Sequence, residues 1–203
     1  RSPILRTYIK AFGCNIDEAF INDLKQYKNL GQFFRRALKP GIRPISQENG
    51  VVSPVDGTIL HLGRAEHGMI EQVKGLTYSV RSFLGPQTWN SDYDKALACQ
   101  EYNEYQKNLL MKNNNNDLYH CVIYLAPGDY HRFHSPAQWQ IAFRRHFPGA
   151  LLSVRPKFAH WFPGLFFVNE RVIYTGEWQY GFFAMAAVGA TNVGSIKVYF
   201  DEV

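Results

Sequence analysis

Apolar positions recur at helical spacing early in the chain and at strand spacing later. Ile4, Leu5, Tyr8, Ile9 and Phe12 fall on one helical face behind Ser2-Pro3, an N-cap residue followed by a first-turn proline, and Gly13 ends the pattern. Asn15 is placed to cap a second helix with Ile16, Phe20, Leu24 and Tyr27 on one face. A third short helix is expected over Leu30, Phe33, Phe34 and Leu38, beside Arg35, Arg36 and Lys39, ending at Pro40-Gly41. From Val51 the signal becomes that of strands. Residues 58–62, 69–74, 119–126, 138–143, 171–175 and 195–200 are rich in Ile, Val and aromatics and are bounded by Gly or Pro. Helical patterns do not alternate with these strands, which disfavours a doubly wound parallel sheet. The pattern implies an α+β chain: short N-terminal helices over residues 1–45, expected to lie against a membrane, then a mainly antiparallel, β-rich body over 46–203. A polar insertion at about 86–117, with asparagines from Asn113 to Asn116, interrupts that body.

Composition narrows the class. The chain has 203 residues, 46% apolar and 19% charged, enough for one domain with a sizeable core and too apolar for a disordered chain. The longest apolar run, Tyr180 to Ala190, falls well short of the roughly 18 residues a spanning helix needs. A net charge of +5 suits nucleic acid or anionic lipid equally. Cys14, Cys99 and Cys121 have no metal-type spacing and read as reduced, mostly core residues. The first residue is Arg1 rather than Met, so a processed or cut chain is expected.

Three segments could carry chemistry. Ser53-Pro54-Val55-Asp56-Gly57 makes a tight turn with an acid at the mouth of a strand, although Asp-Gly is also a common hairpin turn. In Tyr124 to Pro136 (YLAPGDYHRFHSP) a strand ends at Pro127-Gly128, and His131 and His134 follow three residues apart. Such a pair is a metal site, a general base with a helper, or two solvated loop residues. No Glu follows in a zincin arrangement, which favours the base, with Asp56 as a candidate orienting group. Val188 to Ile196 (VGATNVGSI) is a small-residue stretch that permits close approach of a ligand or of another backbone.

Taken in order, SPVDG, QVKGLTYSV, YLAPGDYHRFHSP, NERVIYTGEW and VGATNVGSI resemble the phosphatidylserine decarboxylase family, and the last two are most similar to its mitochondrial type. The resemblance runs from about Gly31 to the C-terminus. It implies a pyruvoyl enzyme that makes its own cofactor: a serine in a late Leu-Gly-Ser-Thr motif attacks the preceding carbonyl and ends as the pyruvoyl group of a separate α chain. The acid of SPVDG, here Asp56, and the second histidine of YHRFH, His134, correspond to the relay that activates this serine. His131 corresponds to a residue of the decarboxylation step. The implied activity converts phosphatidylserine to phosphatidylethanolamine through a Schiff base, peripherally on the mitochondrial inner membrane or, alternatively, another cellular membrane, with no metal and no nucleic acid.

No Leu-Gly-Ser-Thr follows Ser195, so Ser195 is expected to be structural and this chain, a β-chain portion, to be inactive without its α chain. Independently of the family, Tyr130 to Asn169 contains no Asp or Glu but holds several cations and ten aromatics. Trp139, Ile141 and Phe143 are expected to face a sheet core. Trp161, Phe162 and Phe166, with Arg144 and Arg145, are expected to touch phosphatidylserine-containing membrane. The competing functions are a metal-dependent hydrolase using His131 and His134, and a non-catalytic membrane- or RNA-binding module.

Overall fold

A computed structural model of the chain describes residues 2–48, 50–73, 75–85, 109, 116–194 and 196–198. In chain order the elements begin with α1 (Ser2–Phe12), a 3-10 turn (Leu24–Gln26), α2 (Leu30–Phe34), β1 (Thr58–Arg64), β2 (Met69–Val73), β3 (Leu76–Ser79) and α3 (Val80–Leu84). There follow β4 (Tyr119–Tyr124), β5 (Trp139–Phe147), α4 (Pro156–Ala159), α5 (Leu165–Val168), β6 (Arg171–Trp178) and β7 (Gly181–Val188). The chain forms two compact units, one from residues 1–58 and 123–138, the other from 59–122 and 139–203. The α+β class stands, with β2–β3 and β5–β6–β7 antiparallel.

In the first unit α1 forms as its spacing requires, burying Leu5 with Cys14, Tyr27 and Phe33. Gly13, at φ +65°, turns the chain out of the helix, and the Cys14 N–H closes it on the Ile9 carbonyl at 3.1 Å. The second predicted helix does not form. Asn15 caps only the turn at Asp17, and residues 18–20 bond instead to 37–39: Phe20 N–H donates to Ala37 and Lys39 N–H to Glu18. That pairing leaves Phe20 exposed and permits only the 3-10 turn, capped by the Asp23 carboxylate. The same pairing takes Leu38 into a bridge with Ala19, so α2 is short; Asn29 caps it by accepting from the Gln32 N–H at 2.8 Å.

In the second unit β1 pairs with β4, and β2 and β3 form a hairpin that turns at Gly75, φ +86°. Ile70, Tyr78, Val80, Phe83, Leu84, Leu165, Phe166 and Ile173 share one core. The central strand β6 buries Val172, Ile173 and Tyr174 on both of its faces. Its partner β5 departs from expectation. Ile141 and Phe143 are exposed and Trp139 is half-buried against Phe183, because β5 is an edge strand with a bulge between Ile141 and Phe143. The inward residue is Arg145, only 5% exposed, whose Nη1 donates to the Leu84 carbonyl at the end of α3. Arg171 is buried beside it, donating to Ser82, Phe83 and Phe167 carbonyls under the Phe147 ring, and burial lowers its pKa to about 10. Two cations that look like surface charge therefore satisfy carbonyls at the end of a helix.

Strand β7, unmarked by alternation, lies inside the apolar run Tyr180 to Ala190. Of the predicted strand 195–200, residues 196–198 have no regular structure; Ser195 lies outside the described residues, as do Cys99 and most of the polar insertion. Cys14 is buried as expected, whereas Cys121 on β4 is exposed.

Candidate active site

The SPVDG segment leads into β1. Ser53 Oγ donates to the Val55 carbonyl at 2.7 Å and tightens the bend. Gly57 sits at φ +146° against the end of β4, where an added Cβ would come within 2.5 Å of the Tyr124 carbonyl oxygen, so only glycine fits. Two backbone hydrogen bonds then bind this segment to the histidine loop: Val52 N–H to the Pro136 carbonyl and His134 N–H to the Pro54 carbonyl, both 2.8 Å. Two motifs about eighty residues apart in sequence are thereby laid side by side within the first unit.

The loop between β4 and His131 is closed on itself. Asp129 N–H donates to the Ala126 carbonyl at 2.9 Å, and the Asp129 carboxylate accepts from the Ala126 N–H at 2.7 Å. From the helical side Tyr8 donates its hydroxyl to Pro127 at 2.7 Å, and the buried Arg36 donates to Gly128 at 3.0 Å. Two further nitrogens of Arg36, Nε and Nη1, have no hydrogen-bond partner among the described residues.

His131 is half-buried, its ring 3.8 Å from that of Phe34. Nδ1 lies 2.9 Å from the Asp129 carbonyl, which only accepts, so Nδ1 carries a proton and Nε2 is left to take or give one. Burial holds its pKa below the ordinary imidazole value, against the opposing pull of the Asp129 carbonyl. His134 is exposed and shares a 2.9 Å hydrogen bond between Nε2 and the Tyr130 hydroxyl, the two rings lying nearly parallel.

Asp56 is gripped by a residue that motif reading missed. Arg43 Nε donates to Asp56 Oδ1 at 2.9 Å and Nη2 to Oδ2 at 2.6 Å, while Nη2 also reaches Glu18 at 2.8 Å. These hydrogen bonds, Asp56 first, push the guanidinium above its ordinary pKa. Among the described residues Asp56 makes no direct hydrogen bond to His134. The sequence signal for Arg43 was its place in Pro40-Gly41-Ile42-Arg43-Pro44, where the following proline holds it extended, but nothing there names its partner.

The remaining candidates separate by burial. Trp161 is 86% exposed and Arg144 is exposed, whereas Phe162 packs partly against the core. Phe166, 7% exposed and edge-on to Tyr78, and Arg145 are interior, so neither can touch lipid in this fold. Residues 188–194 of the VGATNVGSI stretch form a packed turn: Gly189 lies against the Val193 and Glu170 carbonyls, and Asn169 donates to Gly189. Among the described residues no three His, Cys, Asp or Glu side chains are grouped to hold a metal ion.

Comparison with known proteins adds to this geometry. The family model described as phosphatidylserine decarboxylase matches residues 30–203. The mitochondrial phosphatidylserine decarboxylase proenzyme of Pongo abelii is 53% identical over 204 residues, covering 100% of this chain and 49% of its own length. Proenzyme 1, mitochondrial, of Saccharomyces cerevisiae is 41% identical, covering 97% of this chain and 52% of its own length. The Arabidopsis thaliana counterpart is 42% identical, with 97% and 48% covered. The chain spans about half the length of the curated relatives it matches.

Proposed function

The chain belongs to the phosphatidylserine decarboxylase family, and from that premise we propose that it is the β-chain portion of a self-maturing enzyme that converts phosphatidylserine to phosphatidylethanolamine. The observation that carries this reading is the pair of backbone hydrogen bonds joining the SPVDG segment to the histidine loop, since both motifs must act on one serine. The relatives' names, as mitochondrial proenzymes, support a precursor that yields a partner α chain and a mitochondrial location, and a peripheral place on the inner membrane belongs to the proposal.

In maturation His134 takes the proton of the attacking serine hydroxyl as its oxygen adds to the preceding carbonyl, and Asp56 holds the charge that the histidine gains. The Tyr130 hydroxyl restrains the ring of His134 through its hydrogen bond with Nε2. Breakage of the amide bond to leave an ester, elimination of that ester and loss of ammonia would leave the new α chain with a pyruvoyl group. Its carbonyl supplies the electron sink for the pair released with CO2. The residues present suit such a group: His131, oriented by the Asp129 carbonyl at Nδ1, leaves Nε2 to take up a proton and pass it to the carbon that loses the carboxylate. Trp161 and Arg144 would meet a phosphatidylserine-containing membrane through aromatic insertion and charge. No nucleic acid enters this reading.

The test is to incubate the purified precursor carrying this chain with phosphatidylserine vesicles and follow CO2 and phosphatidylethanolamine. A protein that cleaves itself yet leaves phosphatidylserine intact would overturn the assignment. Activity that disappears on removal of a stoichiometric metal would instead favour a hydrolase built on His131 and His134.

A further inference from the structure

We propose that Arg43 is a positioning residue for self-cleavage, fixing the Asp56 carboxylate in the orientation from which it supports His134. The inference rests on the relay reading of Asp56 and His134 given above. Asp56 sits on a bend, partly exposed, and among the described residues no hydrogen bond from its own loop reaches its carboxylate. Arg43 supplies the restraint as a two-pronged grip, Nε on one oxygen and Nη2 on the other.

The guanidinium is itself held at two further points, and the backbone that carries it at one. Nη2 is shared with Glu18 at 2.8 Å, Nη1 donates to the Ile42 carbonyl at 3.3 Å, and Pro44 restricts the backbone that carries the side chain. Such a braced arrangement around a partly exposed ion pair contributes little to stability as such, because solvent screens it. Its chemical consequence is direction. Each carboxylate oxygen accepts along two lone-pair directions, so Arg43 occupies one on each and leaves one on each for an imidazole N–H. Nη2 is shared between Asp56 and Glu18, so both carboxylates fix the position of the fork.

Arg43 never meets substrate in this account; its effect passes through Asp56. Lysine cannot replace it, since an ammonium is a point charge without the planar fork. The test uses the precursor carrying this chain, following self-cleavage over time with thermal unfolding as the control for folding. Arg43→Ala is expected to slow cleavage on the order of 10- to 100-fold, Arg43→Lys to remain slow, and free guanidinium at non-denaturing concentration to restore Arg43→Ala toward the parent rate. In an Asp56→Asn background Arg43→Ala is expected to cause no further loss. Arg43→Ala or Arg43→Lys cleaving at the parent rate while Asp56→Ala stays uncleaved would overturn the role of Arg43 and leave the relay standing. Normal cleavage of Asp56→Ala would remove the relay and this proposal with it. Slow cleavage with a lowered unfolding temperature and no response to guanidinium would make Arg43 structural and overturn the proposal.

Discussion

His131 and His134 stand three residues apart and meet different surroundings. The first is half-buried against Phe34 with Nδ1 committed to a carbonyl; the second is exposed and tied to Tyr130. That difference is expected to separate their roles: His131→Ala in the precursor permits cleavage but lowers decarboxylation, read on a gel and by CO2 release. An uncleaved His131→Ala would place it in the relay instead. Burial also fixes a pH dependence. The pKa values of His131 and His120 are lowered in the fold, so between those values and the ordinary 6.5 the unfolded chain binds more protons. Their contribution to stability is complete above 6.5 and is lost as pH falls through that value toward the folded pKa. Urea unfolding between about pH 7 and pH 5 is expected to show a shallower loss for His120→Gln than for the parent; an equal loss would contradict it. At this scale the sequence singled out Asp56, His131 and His134 as candidates, because they sit in short motifs. It could not show Arg43 as the partner of Asp56, or Glu18 as the partner of Arg43, since a hydrogen bond between residues 13 or 25 apart leaves no local pattern.

Elements hold the site through close backbone contacts. A Cβ on Gly128 would collide with the Phe12 carbonyl at the end of α1, so Gly128→Ala must displace either the helix end or the loop that leads to His131. A loss of about 1–3 kcal/mol in urea unfolding is expected, together with slower precursor cleavage; parental behaviour in both would show that α1 does not seat the loop. Asn169 does comparable work in the second unit. Fully buried, it accepts from Leu152 N–H and donates to the Leu152 and Gly189 carbonyls. Asn169→Ala leaves those groups unpaired and is expected to cost about 2–4 kcal/mol, measured by the same method; a change within about 0.5 kcal/mol would mean that the turn reorganises freely. Helix α1 and most strands were legible in position because apolar residues cluster in them, although Ile4 and Phe12 of α1 and Ile59 and Leu62 of β1 are exposed. The stretch 14–28 was not, because pairing of 18–20 with 37–39 outweighed a helical pattern. The inward face of β5 was misread because a bulge changes which residues share a face, and because Arg145 is satisfied by a carbonyl no local pattern reveals.

Across the whole chain, the acid-free stretch from Tyr130 to Asn169 divides into interior and surface once burial is known. Arg145 and Phe166 belong to the core of the second unit, whereas Trp161 stands out at 86% exposure. Trp161→Ser is therefore expected to weaken binding to phosphatidylserine vesicles with the unfolding temperature unchanged, and Phe166→Ser to lower the unfolding temperature. Unaltered vesicle binding by Trp161→Ser would remove this surface from the account. Composition marked the stretch, but a run of cations and aromatics reads alike whether it faces lipid or caps carbonyls. Family membership was legible because five motifs occur in one order, although the chain spans only about half of the relatives' length. The central claim, that the SPVDG segment and the histidine loop form one self-processing site, is tested most directly by the intact mass of the precursor carrying Asp56→Ala or His134→Ala. Each variant is expected to keep the mass of the uncut chain under conditions in which the parent separates into two. Two chains of parental mass from either variant would contradict the account.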